Sequence, residues 1–348
     1  MNHDERLLIV PENQSGLRLD VALQQLLPEF SRSKLQEWIR NKYVLVNQSY
    51  VSTKLKVYTG DEIKVIVQQN PENNAFLPEA IPLDIIFEDD TLLVINKPQG
   101  MVVHPAVGNW SGTLLNALLF HLPDITHIPR CGIVHRLDKE TSGLLVVAKT
   151  LYAQTHLVKQ LQARTIKREY RAIVWGQLWK NGRVNQPIGR HPLNRTHMAV
   201  NLSGKSAMTH YEILERFGAH TYLRCNLETG RTHQIRVHMQ YLKAPIVGDP
   251  TYGLKSIMPI KSMSNGLREH ILGFKRQALH AFRLGLIHPV SLGAMEWSID
   301  LPEDMKALLE MIRSDQSDAT NSVEDLHFQN YLDQVSDEIS EDIFDDDE

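Results

Sequence analysis

Asp138 is the residue whose type and surroundings point most clearly to chemistry, because it lies among basic and small residues directly before an apolar run. The run 144–148 predicts a short buried strand, and Thr141-Ser142-Gly143 predicts a tight turn in front of it. Asp138 is therefore expected in a loop at a strand end, where the chemistry of sheet proteins usually takes place. This position makes it a candidate catalytic acid group. The alternative is an aspartate that caps a turn or pairs with Arg136.

The charge of the chain is divided between two unlike parts. The 348 residues carry 37 Lys and Arg and 41 Asp and Glu, for a formal net charge of −4. The segment from Asp315 to Glu348 holds 13 of the acidic residues and no Lys or Arg, so the preceding part is basic. A basic body suits a polyanionic partner, whose phosphates supply most of the sequence-independent affinity. Residues 314–348 are expected to be a largely disordered acidic tail, which either solvates the protein or screens its basic surface.

Cysteine usage and hydropathy bound the class of protein. Cys131 and Cys225 lie far apart, without a CxxC pair, and predict reduced thiols rather than a disulfide framework or a zinc site. His233 and His238 are five residues apart, which does not place them on one helical face, so we interpret them as structural. No run approaches the roughly 18 apolar residues that would span a bilayer, and the start of the sequence has no leader pattern. The sequence predicts a cytoplasmic protein without a membrane partner.

The region 78–313 alternates short β-rich segments with a few helices. The expected strands lie at 92–95, 144–148, 168–175, 209–214 and 221–227, and the expected helices at 151–163 and 233–242. These segments lack strict βαβ alternation. The pattern predicts an α+β fold with a mixed, mostly antiparallel sheet and flanking helices.

Several motifs together give the chain a family resemblance. His135-Arg136-Leu137-Asp138, followed by Thr141-Ser142-Gly143, resembles the sequence around the catalytic aspartate of the RluA-type pseudouridine synthases, which isomerise uridine in RNA to its C-glycoside. Four further stretches resemble this family in the same order, namely 96–100, 168–172, 230–238 and 277–281. The resemblance covers most of the chain up to Arg313 and implies the α+β catalytic fold of these enzymes over residues 78–313.

Residues 16–70 resemble the S4-type RNA-binding domain that precedes the catalytic domain in several of these synthases. Leucines at helical spacing between 19 and 27 predict one helix, and a second helix is expected after Ser31, followed by strands. Residues 1–15 would form an N-terminal extension, and the polar residues 71–77 a linker. The expected RNA contacts on and around the second helix, with a solvated basic face as the alternative, are Arg32, Lys34, Arg40 and Lys42.

The family resemblance implies roles for three side chains. Asp138 would act on the ribose of the target uridine, by covalent addition or by removing a proton, without a metal or organic cofactor. Arg236 would pair with Asp138 and favour its ionised form, the alternative being a surface arginine that touches phosphate. Tyr170, on the strand face of Arg168 and Ala172, would stack on the flipped uracil rather than serve only as core packing.

Four more residues of these motifs are expected around the same pocket. Arg136 would fill the gap that the flipped nucleotide leaves in the RNA, with pairing to the neighbouring carboxylate as the alternative. Arg231 would contact phosphate or form part of the pocket wall. Ile235 and Leu279 would form the apolar floor of the pocket or belong to the ordinary core.

Further matches favour a substrate in the large ribosomal subunit. They lie at 104–109, 112–118 and 190–200, where the chain resembles family members that modify helix 69 of 23S rRNA. The expected partner is therefore 23S rRNA or a precursor of the large subunit, bound by a monomer. A different rRNA or tRNA stem-loop is the alternative substrate. A metal-dependent nuclease would need several carboxylates around a metal, and a non-catalytic RNA-binding module would not need Asp138.

Overall fold

The computed structural model of the protein describes residues 4–67, 75–106, 108–254 and 263–318. The chain divides into two compact units, residues 1–74 and 75–348. Of the expected linker only the last three residues belong to the described part of the chain, and of the expected acidic tail only the first five. Among the described residues, no helix is long and apolar enough to cross a membrane.

The first unit is a small sheet covered by two helices. Its elements are β1 (Asp4–Ile9), α1 (Leu19–Leu26), α2 (Arg32–Arg40), β2 (Val44–Val46), β3 (Ser49–Tyr50) and β4 (Glu62–Val67). The strands pair antiparallel in the order β1-β4-β2-β3. The hydroxyl of Ser31 caps α2 by accepting the Lys34 backbone N–H. Leu35 and Trp38, on one face of α2, are buried with Leu23 of α1 and Ile63 of β4.

The first unit begins earlier than the sequence indicated. Residues 4–9 were expected in an extension, but they form β1, which pairs with the whole length of β4 from Glu62 to Val67. The expected boundary at residue 16 therefore falls inside the unit. The reason is that β1 alternates exposed and partly buried positions at the sheet edge, so its short apolar stretch resembles a mobile terminus in sequence.

The second unit is built on one large sheet. Its strands are β5 (Ile85–Glu88), β6 (Leu92–Lys97), β7 (Ser142–Ala148), β8 (Lys167–Trp175), β9 (Gly182–Asn185), β12 (Met208–Arg216), β13 (His220–Leu227), β14 (Leu279–Ile287) and β15 (Ala294–Ser298), with β10 (Ile188–Arg190) and β11 (Met198–Val200) forming a separate ribbon. The order is β5-β6-β7-β14-β8-β13-β12-β9, and β15 pairs with β14. Only β7 and β14 pair in parallel among the described strands, so the predicted mixed, mostly antiparallel sheet is confirmed.

Helices cover both faces of the sheet near β7. They are α3 (Leu114–His121), α4 (Leu151–Gln162), α5 (Gln234–Tyr241), α6 (Asn265–Gly273) and α7 (Glu303–Asp318). Leu145 and Val147 of β7 share a core with residues of α3, α5, α6 and α7, whereas Leu144 and Val146 pack with residues of α4. Because both faces are covered, every residue of β7 is buried, which explains the uninterrupted apolar run after the candidate aspartate.

The ends of the second unit also differ from the expected boundaries. At the start, the Asn116 side chain donates hydrogen bonds to the carbonyls of Ala75 and Leu77, so the last residues of the expected linker are held by α3.

At the other end, α7 continues to Asp318, beyond the expected boundary at 313. The change of charge marked that boundary in the sequence, whereas the backbone of α7 stays helical through the polar residues 314–318. Ser264 N–H still bonds to Asp315 on this last turn.

Gly143 is required by the parallel pairing of β7 with β14. It pairs with Ala281 and has φ of +115°, and a Cβ at this position would lie 2.3 Å from the Ala281 carbonyl oxygen. Gly143→Ala should destabilise the second unit by about 3 kcal/mol or more, because backbone strain and overpacking each cost on the order of 1–3 kcal/mol. Chemical denaturation of the full chain measures this effect.

Gly218→Ala is the matched control, because a Cβ there meets nothing within 4 Å. It should change the free energy of unfolding by less than about 1 kcal/mol. Equal stabilities of the two variants would contradict the requirement for glycine at position 143.

Candidate active site

Asp138 lies in a loop that hydrogen bonds tie to the rest of the second unit. The Thr141 N–H donates to the Asp138 carbonyl at 3.1 Å and closes the turn before β7. The Lys97 ammonium at the end of β6 donates to the carbonyls of Lys139, Pro98 and Met101, at 3.1, 2.7 and 2.9 Å. The loop is therefore fixed to the end of β6 on one side and to β7 on the other.

Lys97 has a structural role in this arrangement. Its side chain is fully buried, and burial lowers its pKa to about 7, although the nearby Glu140 and Asp138 favour the charged form. Its three carbonyl acceptors replace the water that burial removes. This explains how a lysine can be buried at the end of β6.

The strand on the other side, β14, supports the same loop. The Gln277 amide donates to the Thr141 hydroxyl at 2.9 Å, and the Ser142 hydroxyl lies 2.8 Å from Nδ1 of His280. Arg276 forms two hydrogen bonds with Asp304 of α7, at 2.6 and 2.7 Å. Gln277 and His280 of the motif 277–281 thus hold the Asp138 loop, while Leu279 of the same motif lines the cavity.

Arg236 of α5 connects two carboxylates. Its Nη1 donates to Oδ2 of Asp138 at 3.2 Å, while its Nε and Nη2 donate to the two oxygens of Asp249, at 2.6 and 2.8 Å. Burial alone disfavours the charged guanidinium, but the hydrogen bonds and charge of Asp249, with the charge of Asp138, more than offset this and raise the Arg236 pKa. The Asp249 side chain is 0% exposed and that of Asp138 17%, so Asp249 anchors the arginine and Asp138 faces the cavity.

Asp249 was missing from the sequence-based site. Its Oδ1 also accepts the backbone N–H groups of Thr251 and Tyr252, at 2.8 and 3.0 Å, so it closes a local turn as well. Gly248-Asp249-Pro250 predicts such a turn. Nothing in that local pattern identifies Arg236 as the second partner, because the contact depends on how α5 packs.

His233 and Tyr252 lie beside the same carboxylate. His233 precedes α5 with φ of +56°, and its Nε2 is 4.0 Å from Oδ1 of Asp138. Its Nδ1 lies 2.7 Å from the Tyr252 hydroxyl, which also accepts the Met198 backbone N–H at 2.9 Å. Burial lowers the pKa of His233, while Asp138 acts in the opposite direction. His233 was expected to be structural, and Tyr252 was not predicted as a site residue.

A cavity of about 830 Å³ opens beside Asp138. Its wall includes Tyr170 of β8, together with Ile235 and Leu279, and all three side chains are buried. Burial raises the pKa of Tyr170 to about 12, so its phenol is neutral at physiological pH. Thus one cavity brings together the acid, its arginine partner, the aromatic side chain and the two apolar residues that the motifs indicated.

The rim of this cavity is basic. Arg136 is exposed and makes no hydrogen bond to Asp138 in the structure, which leaves the alternative of a turn pair without support. Arg231 is also exposed, and its Nε donates to the Ser206 carbonyl at 3.0 Å. The cavity lining contains four further arginines besides these two, namely Arg130, Arg164, Arg168 and Arg236.

The basic residues predicted in the first unit differ in how they are held. Arg32 donates to the buried Asp20 at 3.0 and 2.7 Å, so its guanidinium is anchored rather than fully available to a ligand. The Lys34 ammonium lies 5.7 Å from the Phe30 ring centroid. Lys42 lies 5.7 Å from the Tyr50 ring centroid, and Arg40 is exposed at the end of α2.

Within the described ranges, no group of three or more His, Cys, Asp or Glu side chains could hold a metal ion. The histidines of the motifs have other partners. His135 Nε2 accepts the Val146 N–H at 3.2 Å, and burial lowers the His135 pKa to about 3. His238 bonds to the Thr209 hydroxyl at 2.8 Å and to the Gln186 carbonyl at 3.0 Å.

Comparisons with known proteins match each of the two units to a family. The RNA pseudouridylate synthase family profile matches residues 91–241, and the S4 domain profile matches residues 17–63. Among solved structures, human RNA Pseudouridylate Synthase Domain Containing 4 is similar with a TM-score of 0.52 and 25% identity. That similarity covers 66% of this chain and 92% of the human one.

Relatives of nearly equal length are more similar in sequence. The ribosomal large subunit pseudouridine synthase D of Nitrosomonas europaea is 54% identical over 307 residues, which are 88% of each chain. The protein of the same name from Escherichia coli K12 is 50% identical over 315 residues, or 90% of this chain and 96% of its own. With an S4 domain ahead of a synthase domain, and half of its residues shared over most of its length, the chain belongs to the RluA-type family of RNA pseudouridine synthases.

Proposed function

We propose that the protein converts uridines of 23S rRNA to pseudouridine, and that its target is helix 69 of the large ribosomal subunit. The support for the RNA class is the name of its relatives, which are large-subunit pseudouridine synthases. The single structural observation that supports the chemistry is the carboxylate of Asp138, bound to Arg236 at the base of a basic-rimmed cavity.

Asp138 acts at the ribose of a uridine that has been turned out of the RNA stack. The bond between C1′ and N1 breaks, and its electron pair leaves with the uracil. The carboxylate either bonds to the ribose carbon and is released later, or removes a ribose proton and returns it. Both routes regenerate Asp138. The base then turns, C5 bonds to C1′, and the C5 proton is lost while N1 gains one, so that no atom is added overall.

Retaining the free base is the second requirement of the reaction. Tyr170 offers an aromatic face in the cavity, and stacking on such a face is worth roughly 1–3 kcal/mol per base. Ile235 and Leu279 close the apolar side. Because stacking and apolar contacts tolerate rotation, these walls hold the uracil while it exchanges N1 for C5.

RNA binding is assigned to basic side chains at the cavity rim and in the S4 domain. Arg136 takes the place of the flipped nucleotide in the RNA, and Arg231 contacts phosphate at the cavity rim. In the S4 domain, Lys34, Arg40 and Lys42 contact the rRNA, whereas Arg32 supports this surface through Asp20. We place the protein as a monomer in the cytoplasm, on 23S rRNA or a precursor of the large subunit.

Asp138→Asn should abolish pseudouridine formation, because the amide keeps the shape of the side chain but is no longer an acid group. RNA affinity should remain nearly unchanged, because phosphate contacts dominate binding. Pseudouridine mapping in the rRNA of cells that lack the protein, complemented with wild type or variant, measures the activity and its location. Asp124→Asn, an exposed aspartate outside the cavity, is the matched control and should restore every modification. Pseudouridine formation by Asp138→Asn would overturn the role of Asp138. Modification by the wild type of another RNA alone would overturn the assignment of 23S rRNA as the substrate.

The charge of the S4 domain should appear in the salt dependence of RNA binding. Replacing Lys34, Arg40 and Lys42 by Gln should reduce the slope of log affinity against log salt by roughly 0.7–0.9 for each phosphate that the variant no longer neutralises. Lys64→Gln is the control, because Lys64 on β4 forms an ion pair with Glu5 on β1. Filter binding across a salt series gives the slopes. If the triple variant keeps the wild-type slope and the wild-type choice of uridines, the S4 domain does not contact the substrate through these residues.

A further inference from the structure

The hydrogen bonds of Tyr252 favour one of the two neutral tautomers of His233. The Tyr252 oxygen accepts the Met198 backbone N–H at 2.9 Å, so its single proton is available for Nδ1 of His233 at 2.7 Å. When Tyr252 donates this proton, Nδ1 is the acceptor. A neutral imidazole with an unprotonated Nδ1 carries its proton on Nε2, and the burial that lowers the His233 pKa favours this neutral form.

In this tautomer the proton lies on the ring nitrogen that is nearer to Asp138. Nε2 is 4.0 Å from Oδ1 of Asp138, and the His233 side chain is 22% exposed and lines the cavity. The other charged groups around the imidazole are Arg236, Asp249 and Arg136. Arg236 is occupied by the two carboxylates, so His233 offers a separate hydrogen-bond donor next to the acid.

The chemistry of uridine supplies an acceptor for this donor. When the bond between C1′ and N1 breaks, negative charge spreads from N1 of the uracil to O2, which lies close to the ribose carbon on which Asp138 acts. Donors fixed at a developing anion are among the strongest contributions to catalysis, because they need no reorganisation during the reaction. A neutral imidazole suits this role, since it donates without placing a second full charge against the carboxylate.

We propose that His233 is a catalytic residue that donates its Nε2 proton in a hydrogen bond to O2 of the departing uracil, and that Tyr252 is the positioning residue that fixes this tautomer. This inference rests on the proposed pseudouridine synthesis at Asp138. It assigns to the histidine the stabilisation of the leaving base, and leaves the ribose chemistry to the carboxylate.

Single-turnover kinetics of His233 variants test the proposed hydrogen bond to the uracil. His233→Ala should slow the reaction about 100-fold, the usual cost of removing one such donor, with RNA affinity unchanged. His233→Gln should recover part of the rate through its amide N–H. His127→Ala, at an exposed histidine outside the cavity, is the control and should keep the wild-type rate.

Sulfur substitution in the target base identifies the accepting atom. Sulfur is a weaker acceptor than oxygen, so 2-thiouridine should slow the wild type. It should slow His233→Ala no further, because the variant has no donor at this position. 4-Thiouridine should affect both proteins by the same factor. An equal effect of 2-thiouridine on both proteins would overturn the proposal. It would also be overturned if the variant lost the effect of 4-thiouridine, because His233 would then contact O4 and not O2.

A spectroscopic measurement tests the tautomer independently of the variants' folding. In ¹⁵N NMR spectra of the wild-type full chain, His233 should carry its proton on Nε2, and Tyr252→Phe should allow the other tautomer to appear. A proton on Nδ1 in the wild type would refute the inference. Absence of any pseudouridine formation by the wild type would instead refute the proposed function, so the two failures are distinguishable.

Discussion

The guanidinium of Arg236 lies between two carboxylates that have unlike surroundings. Asp249 holds it from the buried side with two hydrogen bonds, and Asp138 receives the remaining one at the cavity wall. A buried arginine is costly without a charged partner, and removing one partner of such a pair costs about 3–5 kcal/mol. Asp249 therefore makes it possible to keep the positive charge of Arg236 fixed beside Asp138. That charge in turn holds the Asp138 carboxylate in place at the wall of a partly closed cavity.

The fold serves this contact by fixing both of its ends. The Asp138 loop is held by Lys97 of β6 and by Gln277, which lies just before β14, while Arg236 lies on α5. Gly143 permits the close parallel approach of β7 and β14 that brings Gln277 to the loop. Backbone and side-chain contacts of separate strands thus place the acid relative to its arginine, and loops alone would not hold that distance.

The sequence predicted those parts of the site that depend on short motifs. Asp138, Tyr170 and Arg236 each stand in a distinctive local pattern, and the structure places them around one cavity. Asp249 and Tyr252 were missed because their partners come from α5 and from the ribbon at Met198, which local patterns do not identify. The α+β class followed from the order of strand and helix patterns. The ends of the units did not, because an edge strand and a terminal helix depend on packing rather than on composition.

The most direct test of this account is the single-turnover rate of Asp249→Asn with RNA substrate. The variant keeps the shape of the side chain but loosens Arg236, and a misplaced catalytic group costs about 100-fold in rate. We expect a decrease of that size with unchanged RNA affinity and an intact fold, whereas Glu215→Gln, which alters an exposed pair with Arg313, should keep the wild-type rate. A folded Asp249→Asn protein that reacts as fast as wild type would contradict the claim that Asp249 positions the arginine for Asp138.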